Sequence, residues 1–356
     1  MGKTMTMAEK NVKKILIINL GGIGDFLLST PALKALRYFY NEAKISLLAT
    51  YPVTQVAKSS NYIDTSYPFY SAPNKIEVTK VLSDILTVMK LRRLDFDLAI
   101  NMRTIYSPRG AKKIKFLLNM INAKKSAGRN TEGLGDFFDI KIPETRFGRK
   151  HESEYDIDTA VALGATVNEK EFELNIPPEA DKKAQTILNS FNISPDDTVI
   201  GINPGGMPSR RWPVKSFKTL MERLRDKVHF IKFIIVGSQS ELSLAKQLEG
   251  NDTLLLTGKL DPLESAAIIK RTQLFISNDT GTMHIAAILK TPLVAIMGPG
   301  DLVRFDPRNI SPAASIIYRQ SHCAPCEKVV CHDLCCLNAI NIDDVLRETY
   351  KQLEIR

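Results

Sequence analysis

The chain has 356 residues, with 48 Lys and Arg against 39 Asp and Glu, for a net charge of +9. At roughly 150 residues per domain this length sets an expectation of two domains, each able to bury a core. No apolar run approaches the roughly 20 residues of a membrane span, and the polar opening MGKTMTMAEKNVKK has no apolar signal core. A membrane-spanning or secreted chain is therefore excluded as an expectation, and a cytoplasmic one takes its place. The basic balance points to anionic company, whether nucleotide phosphates, an anionic membrane face or nucleic acid.

In chain order, short β-branched runs alternate with amphipathic stretches, the pattern of βα units in parallel sheets. Strands are expected at Lys14–Asn19, Ile45–Thr50 and Asp97–Asn101, with helices at Pro31–Tyr40, Val78–Arg92 and Gly110–Ile121. The first strand runs into Gly21-Gly22-Ile23-Gly24-Asp25. Three glycines in four positions let the backbone approach another molecule, but G-G-x-G is not the G-x-G-x-x-G of a dinucleotide fold. An acid at the helix mouth would also repel a pyrophosphate, so Asp25 is either a helix-start residue or a chemical group.

Residues 101–130 hold eight Lys or Arg and no acid: Arg103, Arg109, Lys112, Lys113, Lys115, Lys124, Lys125 and Arg129. Phe116, Leu117, Leu118, Met120 and Ile121 are interleaved, which reads as a basic amphipathic helix. It is either a solvated face or a landing site for anionic lipid or a phosphorylated acceptor. A linker is expected near Asn175–Asp181, where two prolines precede charged residues.

The pattern then restarts. TVIGINPGG, FIKFIIVG, TLLLTG, LFISND and PLVAIMGPGD each read as a strand entering a Gly, Asn or Asp turn. Open α/β sheets bind ligands at such strand ends. Gly205 and Gly206 give a flexible loop, and Arg210 and Arg211 suit phosphate oxygens. Lys215 follows one turn after the chain's single tryptophan, Trp212. A helix starting at Thr280-Gly281 offers free N–H groups to a diphosphate, with Asp279 for ribose hydroxyls and His284 in the first turn. The bland readings are an N-cap for Asp279 and a structural histidine for His284.

All five cysteines fall between Cys323 and Cys336, spaced C-x2-C-x4-C-x3-C-C, beside His322 and His332. In a reducing compartment this favours a four-ligand structural zinc or iron site over disulfides. Its ligands are taken as Cys323, Cys326, Cys331 and Cys336, with Cys335 the other choice for the fourth. Helical spacing over Ile342–Leu353 predicts a closing helix packed on the body.

Together ILIINLGGIGDFLLSTPALKALR, GINPGGMPSRRWPVKSF, TGKLDPLESAAIIKRTQLFISNDTGTMHIAA, TPLVAIMGPGD and CCLNAINIDDV resemble the ADP-heptose:lipopolysaccharide heptosyltransferase family, glycosyltransferase family 9. The resemblance runs in order over most of the chain. It implies an α/β GT-B fold, two Rossmann-like domains facing a central cleft. Residues 1–175 would bind acceptor, 176–340 nucleotide sugar, and 341–356 would form the closing helix. It implies inverting transfer from an ADP-sugar without a catalytic metal.

On this resemblance Asp25 matches the catalytic base, with Gly22, Gly24 and Arg103 on the acceptor side. Thr280, Gly281 and Arg210 match the diphosphate site, where many relatives carry Lys in place of Arg210. Asp279 and His284 match donor-site residues, Glu241 the ribose-contacting glutamate, and Thr257, Gly258 and Lys259 the loop beside the base. The acceptor would be a lipopolysaccharide core, another glycan or glycolipid, or a protein. The expected partners exclude nucleic acid and include the cytoplasmic face of the inner membrane and further copies of the chain. Two other classes fit the same motifs: a nucleotide-sugar epimerase, and a non-catalytic nucleotide-binding scaffold.

Overall fold

A computed structural model of the chain describes residues 12–70, 77–194, 196–326 and 328–354. Contacts divide it into two compact units, Met1–Glu173 and Leu174–Arg356. In the first, strands β1 (Lys14–Asn19), β2 (Lys44–Thr50), β3 (Thr65–Phe69), β4 (Leu98–Asn101), β5 (Lys125–Thr131) and β6 (Ile140–Glu144) form one sheet in the order β3-β2-β1-β4-β5-β6. Every pairing in it is parallel. The β1 run is buried from Ile15 to Asn19, as a strand covered by helices on both faces must be. Helices α1 (Ile23–Leu28), α2 (Thr30–Phe39), α3 (Tyr51–Ala57), α4 (Val78–Arg93), α5 (Pro108–Ile121) and α6 (Glu152–Ala162) supply those covers.

The second unit repeats the plan. Strands β7 (Thr198–Asn203), β8 (Ile231–Ile235), β9 (Thr253–Leu255), β10 (Leu274–Asn278), β11 (Leu293–Met297) and β12 (Ala314–Tyr318) pair in the order β12-β11-β10-β7-β8-β9. All are parallel again. Counted within each unit, both sheets have the strand order 3-2-1-4-5-6 of doubly wound nucleotide-binding folds. The order reverses between β1 and β4 in one unit and between β7 and β10 in the other. Loops at those switch points diverge and leave room for a ligand.

The helices here are α7 (Pro178–Ser190), α8 (Val214–Lys227), α9 (Leu242–Ala245), α10 (Pro262–Ile269), α11 (Gly281–Ile288), α12 (Leu302–Phe305), α13 (Cys335–Asn338) and α14 (Ile342–Gln352). The expected linker Asn175–Asp181 is corrected, because α7 begins inside it with Pro177 as N-cap and Pro178 as first residue. Proline breaks a helix interior but suits its first turn, where no N–H is needed. Helix α14 belongs to the second unit, with Val345 and Leu346 buried in the same core as Trp212, Phe217 and Leu337.

The basic stretch 101–130 is also corrected. Only Pro108–Ile121 is helical; Arg103 lies in the loop after β4, and Lys125 and Arg129 are in β5. Leu117, Leu118 and Ile121 of α5 are buried, while Lys112, Lys113, Lys115 and Phe116 are exposed.

Candidate active site

At the first switch point Asp25 is the third residue of α1. Its Oδ2 accepts the Gly22 N–H at 2.7 Å, and its Oδ1 pairs with the Arg103 guanidinium. A Cβ on Gly21 would lie 2.5 Å from Asp25 Oδ2 and 2.8 Å from Arg103 Nε, so only glycine leaves room for this pair. Thr50 Oγ1 donates to the Gly21 carbonyl at 3.0 Å and Asn101 Nδ2 donates to the Arg103 carbonyl at 2.6 Å, fixing both loops. Gly22 is exposed at the helix mouth, whereas Gly24 is buried on the inner face of α1. Burial opposes the Arg103 charge, but the carboxylates of Asp25 and Glu152 hold its pKa above the usual guanidinium value.

Behind Arg103 is a charged cluster that the sequence reading missed. Arg129 is fully buried, with Nη1 3.1 Å from Glu144 Oε1 and 2.6 Å from Glu152 Oε1, and Nη2 on Asp156 Oδ1. Thr104 Oγ1 donates to the same Glu144 oxygen at 2.8 Å. Arg129 thus meets three carboxylates in the interior, with the Arg103 charge acting on two of them from alongside. Burial, chiefly, pushes Asp156 up to about 7, with Arg129 opposing and Glu152 adding to the rise. No local pattern announces it, because Arg129, Glu144, Glu152 and Asp156 converge from two strands and a helix.

At the second switch point the loops after β7 and β10 meet. Arg210 Nη1 lies 2.7 Å from Asp279 Oδ2. Asn278 ties the assembly together: its Oδ1 accepts the Trp212 N–H at 3.1 Å, and its Nδ2 donates to the carbonyls of Pro204 and Gly205 at 2.9 and 3.0 Å. Trp212 is buried, so the loop is anchored in the core. Gly206 has φ +110°, and a Cβ there would lie 2.7 Å from Thr280 Cγ2. Thr280 is the N-cap of α11, whose first residue is Gly281.

Glu241 belongs to the same group. Its Oε1 accepts the Gly206 N–H at 2.5 Å and its Oε2 the Ser238 N–H at 2.7 Å, so the carboxylate braces the glycine loop. A Cβ on Gly205 would overlap it at 2.0 Å. Gly258, with φ +76°, hydrogen-bonds through its N–H to the Gly237 carbonyl at 2.9 Å, placing Thr257 and Gly258 beside the Ser238–Glu241 turn. His284 is buried in α11 with its ring 6.3 Å from that of Phe305. Lys215 and Lys259 are exposed and show no bond to this group among the described residues.

The cysteines do not converge as a set. Cys323 Sγ lies 4.0 Å from Cys335 Sγ, and among the described residues no three His, Cys, Asp or Glu side chains are grouped to hold a metal ion. Of the two choices for the fourth ligand, Cys335 is the one whose Sγ lies beside Cys323. Neighbours on α13 point about 100° apart, so only one can face Cys323. Cys336 instead packs in the core with Leu337 and Ile340, and burial, above all, raises its thiol pKa.

Two doubly wound α/β units of this order make up the GT-B fold, the architecture of a large class of glycosyltransferases. The chain belongs to glycosyltransferase family 9 (heptosyltransferase), whose sequence profile matches residues 88–336.

Among known proteins, lipopolysaccharide heptosyltransferase 3 of Escherichia coli is 22% identical over 298 residues, covering 80% of this chain and 83% of its own. The structure of E. coli ADP-heptose lps heptosyltransferase II superposes with a TM-score of 0.72 at 19% identity, over 96% of this chain and 98% of its own. E. coli heptosyltransferase WaaC with ADP gives 0.68 at 16% identity, over 95% and 99%. The family assignment does not favour the epimerase and scaffold alternatives.

Proposed function

We propose that the protein transfers a heptose from ADP-heptose to a hydroxyl of a lipopolysaccharide core or related surface glycolipid, with inversion at the anomeric carbon. The observation that carries this reading is the Asp25 carboxylate at the mouth of α1, kept uncovered by Gly21 and held by Gly22 N–H and Arg103. Asp25 takes the acceptor proton as the acceptor oxygen forms its bond to the anomeric carbon and the bond to ADP breaks. Charge developing on the departing diphosphate is met by Arg210 and the N–H groups opening α11. Asp279 and the turn at Glu241, Thr257 and Gly258 hold the nucleoside, and Arg103 orients Asp25.

Differential scanning fluorimetry with a panel of nucleotide sugars tests the donor class, since a ligand at a hundred times its Kd stabilises by about 2.7 kcal/mol. ADP-heptose should raise Tm most; equal protection by UDP- and GDP-sugars would remove the ADP preference.

The acceptor on this reading is membrane-borne, and the protein meets the bilayer peripherally. No helix among the described residues is long and apolar enough to cross a membrane. A structural zinc or iron belongs to the reading as an ordering element only, outside the transfer chemistry. The 4.0 Å separation of Cys323 and Cys335 Sγ is close to an edge of a tetrahedral thiolate shell, about 3.8 Å for metal–sulfur bonds of about 2.3 Å. Cys326 and Cys331 would complete the shell, but neither is grouped with that pair here. Elemental analysis of untagged protein is expected to find one ion per chain; five titratable thiols and no zinc or iron would dismiss the site.

A further inference from the structure

Helix α4 is turned inside out. Its buried positions are Asp84, Val88 and Leu91, and the Asp84 carboxylate accepts the Tyr70 N–H at 2.7 Å. Facing solvent are Val78 at 69% exposure, Leu82 at 55%, Ile85 at 48%, Leu86 at 66% and Met89 at 45%. At 3.6 residues per turn these five fall within an arc of about 100°, a continuous apolar stripe on the side opposite the core. Helix α5 packs beside α4, sharing the core of Val88, Leu91, Leu117, Leu118 and Ile121. Arg92 Nη1 donates to the Met120 carbonyl at 3.1 Å and joins the ends of the two helices. On the outer side of α5, Phe116 is 67% exposed and Met120 38%. Seven of the sixteen exposed large apolar side chains among the described residues thus lie on these two helices.

We propose that the outer faces of α4 and α5 form one docking surface for an anionic lipid bilayer. Charge selects this occupant. Helix α5 holds Arg109, Lys112, Lys113 and Lys115 and no acid, and α4 ends in Lys90, Arg92 and Arg93. The one acid within either helix, Asp84, is buried. A second copy of the chain pairing two-fold through the stripe would bring these cationic rims against each other. Anionic headgroups complement the rim, while the acyl boundary receives the leucines and Phe116; both halves of the surface are satisfied together. Exposed apolar stripes of this extent ordinarily mark an interaction site. The surface deepens the peripheral-contact part of the proposed function and places that contact in the first unit, near the sheet that carries Asp25.

The test is flotation of the full chain with vesicles of phosphatidylcholine alone or with about one third phosphatidylglycerol, at low and high salt. The protein should partition into the anionic vesicles at least ~10-fold more than into neutral ones, with the difference shrinking in salt. Leu82→Ser with Leu86→Ser should lose most of that binding, and Lys112→Glu with Lys113→Glu should lose its anionic preference. Neither pair is buried, so both variants should keep the wild-type Tm.

Absence of wild-type binding to anionic vesicles overturns the proposal. So does binding that survives in both variants, or a Leu82/Leu86 variant that turns an oligomer into monomers while still floating. Thermal protection by ADP-heptose is read on the same samples. A protein that floats without binding the donor defeats the transferase reading and spares the surface; one that binds the donor without floating does the reverse.

Discussion

The two units place an aspartate and an arginine at equivalent points of the same topology, but in exchanged positions. In the first unit the acid follows the first strand and the cation follows the fourth: Asp25 after β1, Arg103 after β4. In the second unit Arg210 follows β7 and Asp279 follows β10. Side-chain exposure differs accordingly. Arg103 and Asp25 are 22% and 19% exposed, whereas Arg210 is 19% and Asp279 only 4%. In the first pair carboxylate and guanidinium are both partly exposed. The other buries its carboxylate and presents the arginine. The two copies of one fold plan thus differ in whether the acid of the pair stays accessible: Asp25 does and Asp279 does not.

The sharpest way to break this comparison is to remove the charge presented by each unit. Asp25→Asn should reduce heptose transfer by at least ~10³-fold while leaving ADP affinity within about twofold, because the side chain acts on the acceptor proton. If ADP binding fell in parallel with turnover, the division of labour would be wrong. Arg210→Ala should weaken ADP binding by about 10- to 100-fold and leave adenosine binding unchanged, measured by calorimetry. Equal losses for both ligands would reassign Arg210 to loop structure.

The smallest effect concerns what backs each pair. Arg103 rests against a buried charge cluster, in which Asp156 is pushed up to about 7. An acid whose pKa is raised on folding contributes stability that is complete below its unfolded value of about 3.9 and is lost as pH rises through the folded one. Asp156→Asn should therefore flatten the decline in wild-type stability between about pH 4 and pH 7, followed by urea denaturation. Identical slopes in the two proteins would mean that the cluster holds no proton.

Much of this was legible in the sequence because it was written locally. The β-branched runs at Lys14–Asn19 and Leu274–Asn278, the glycines after them and the Thr280-Gly281 helix start each announce themselves within a few residues. What stayed hidden depends on contacts far apart in the chain. In the sequence Arg129 is one of eight cations in a stretch without an acid, and its pairing with Glu144, Glu152 and Asp156 makes it a core residue. The helical period at Val78–Arg92 was visible, but a stripe facing water has the same period as one facing the core. Cys335 and Cys336 are adjacent in sequence, and the packing of α13 alone separates their surroundings.

Asn278 carries a consequence for the entropy of donor binding. By holding the Trp212 amide and the carbonyls of Pro204 and Gly205 at once, it ties the glycine loop to the core before any nucleotide arrives. Ordering a flexible loop costs about 1–2 kcal/mol per residue, a cost that a loop already fixed by the fold does not charge to its ligand. On the proposed reading the nucleotide meets a loop already ordered by folding, and the Gly205 and Gly206 amides, bonded to Asn203 and Glu241, are expected to exchange slowly in the free protein.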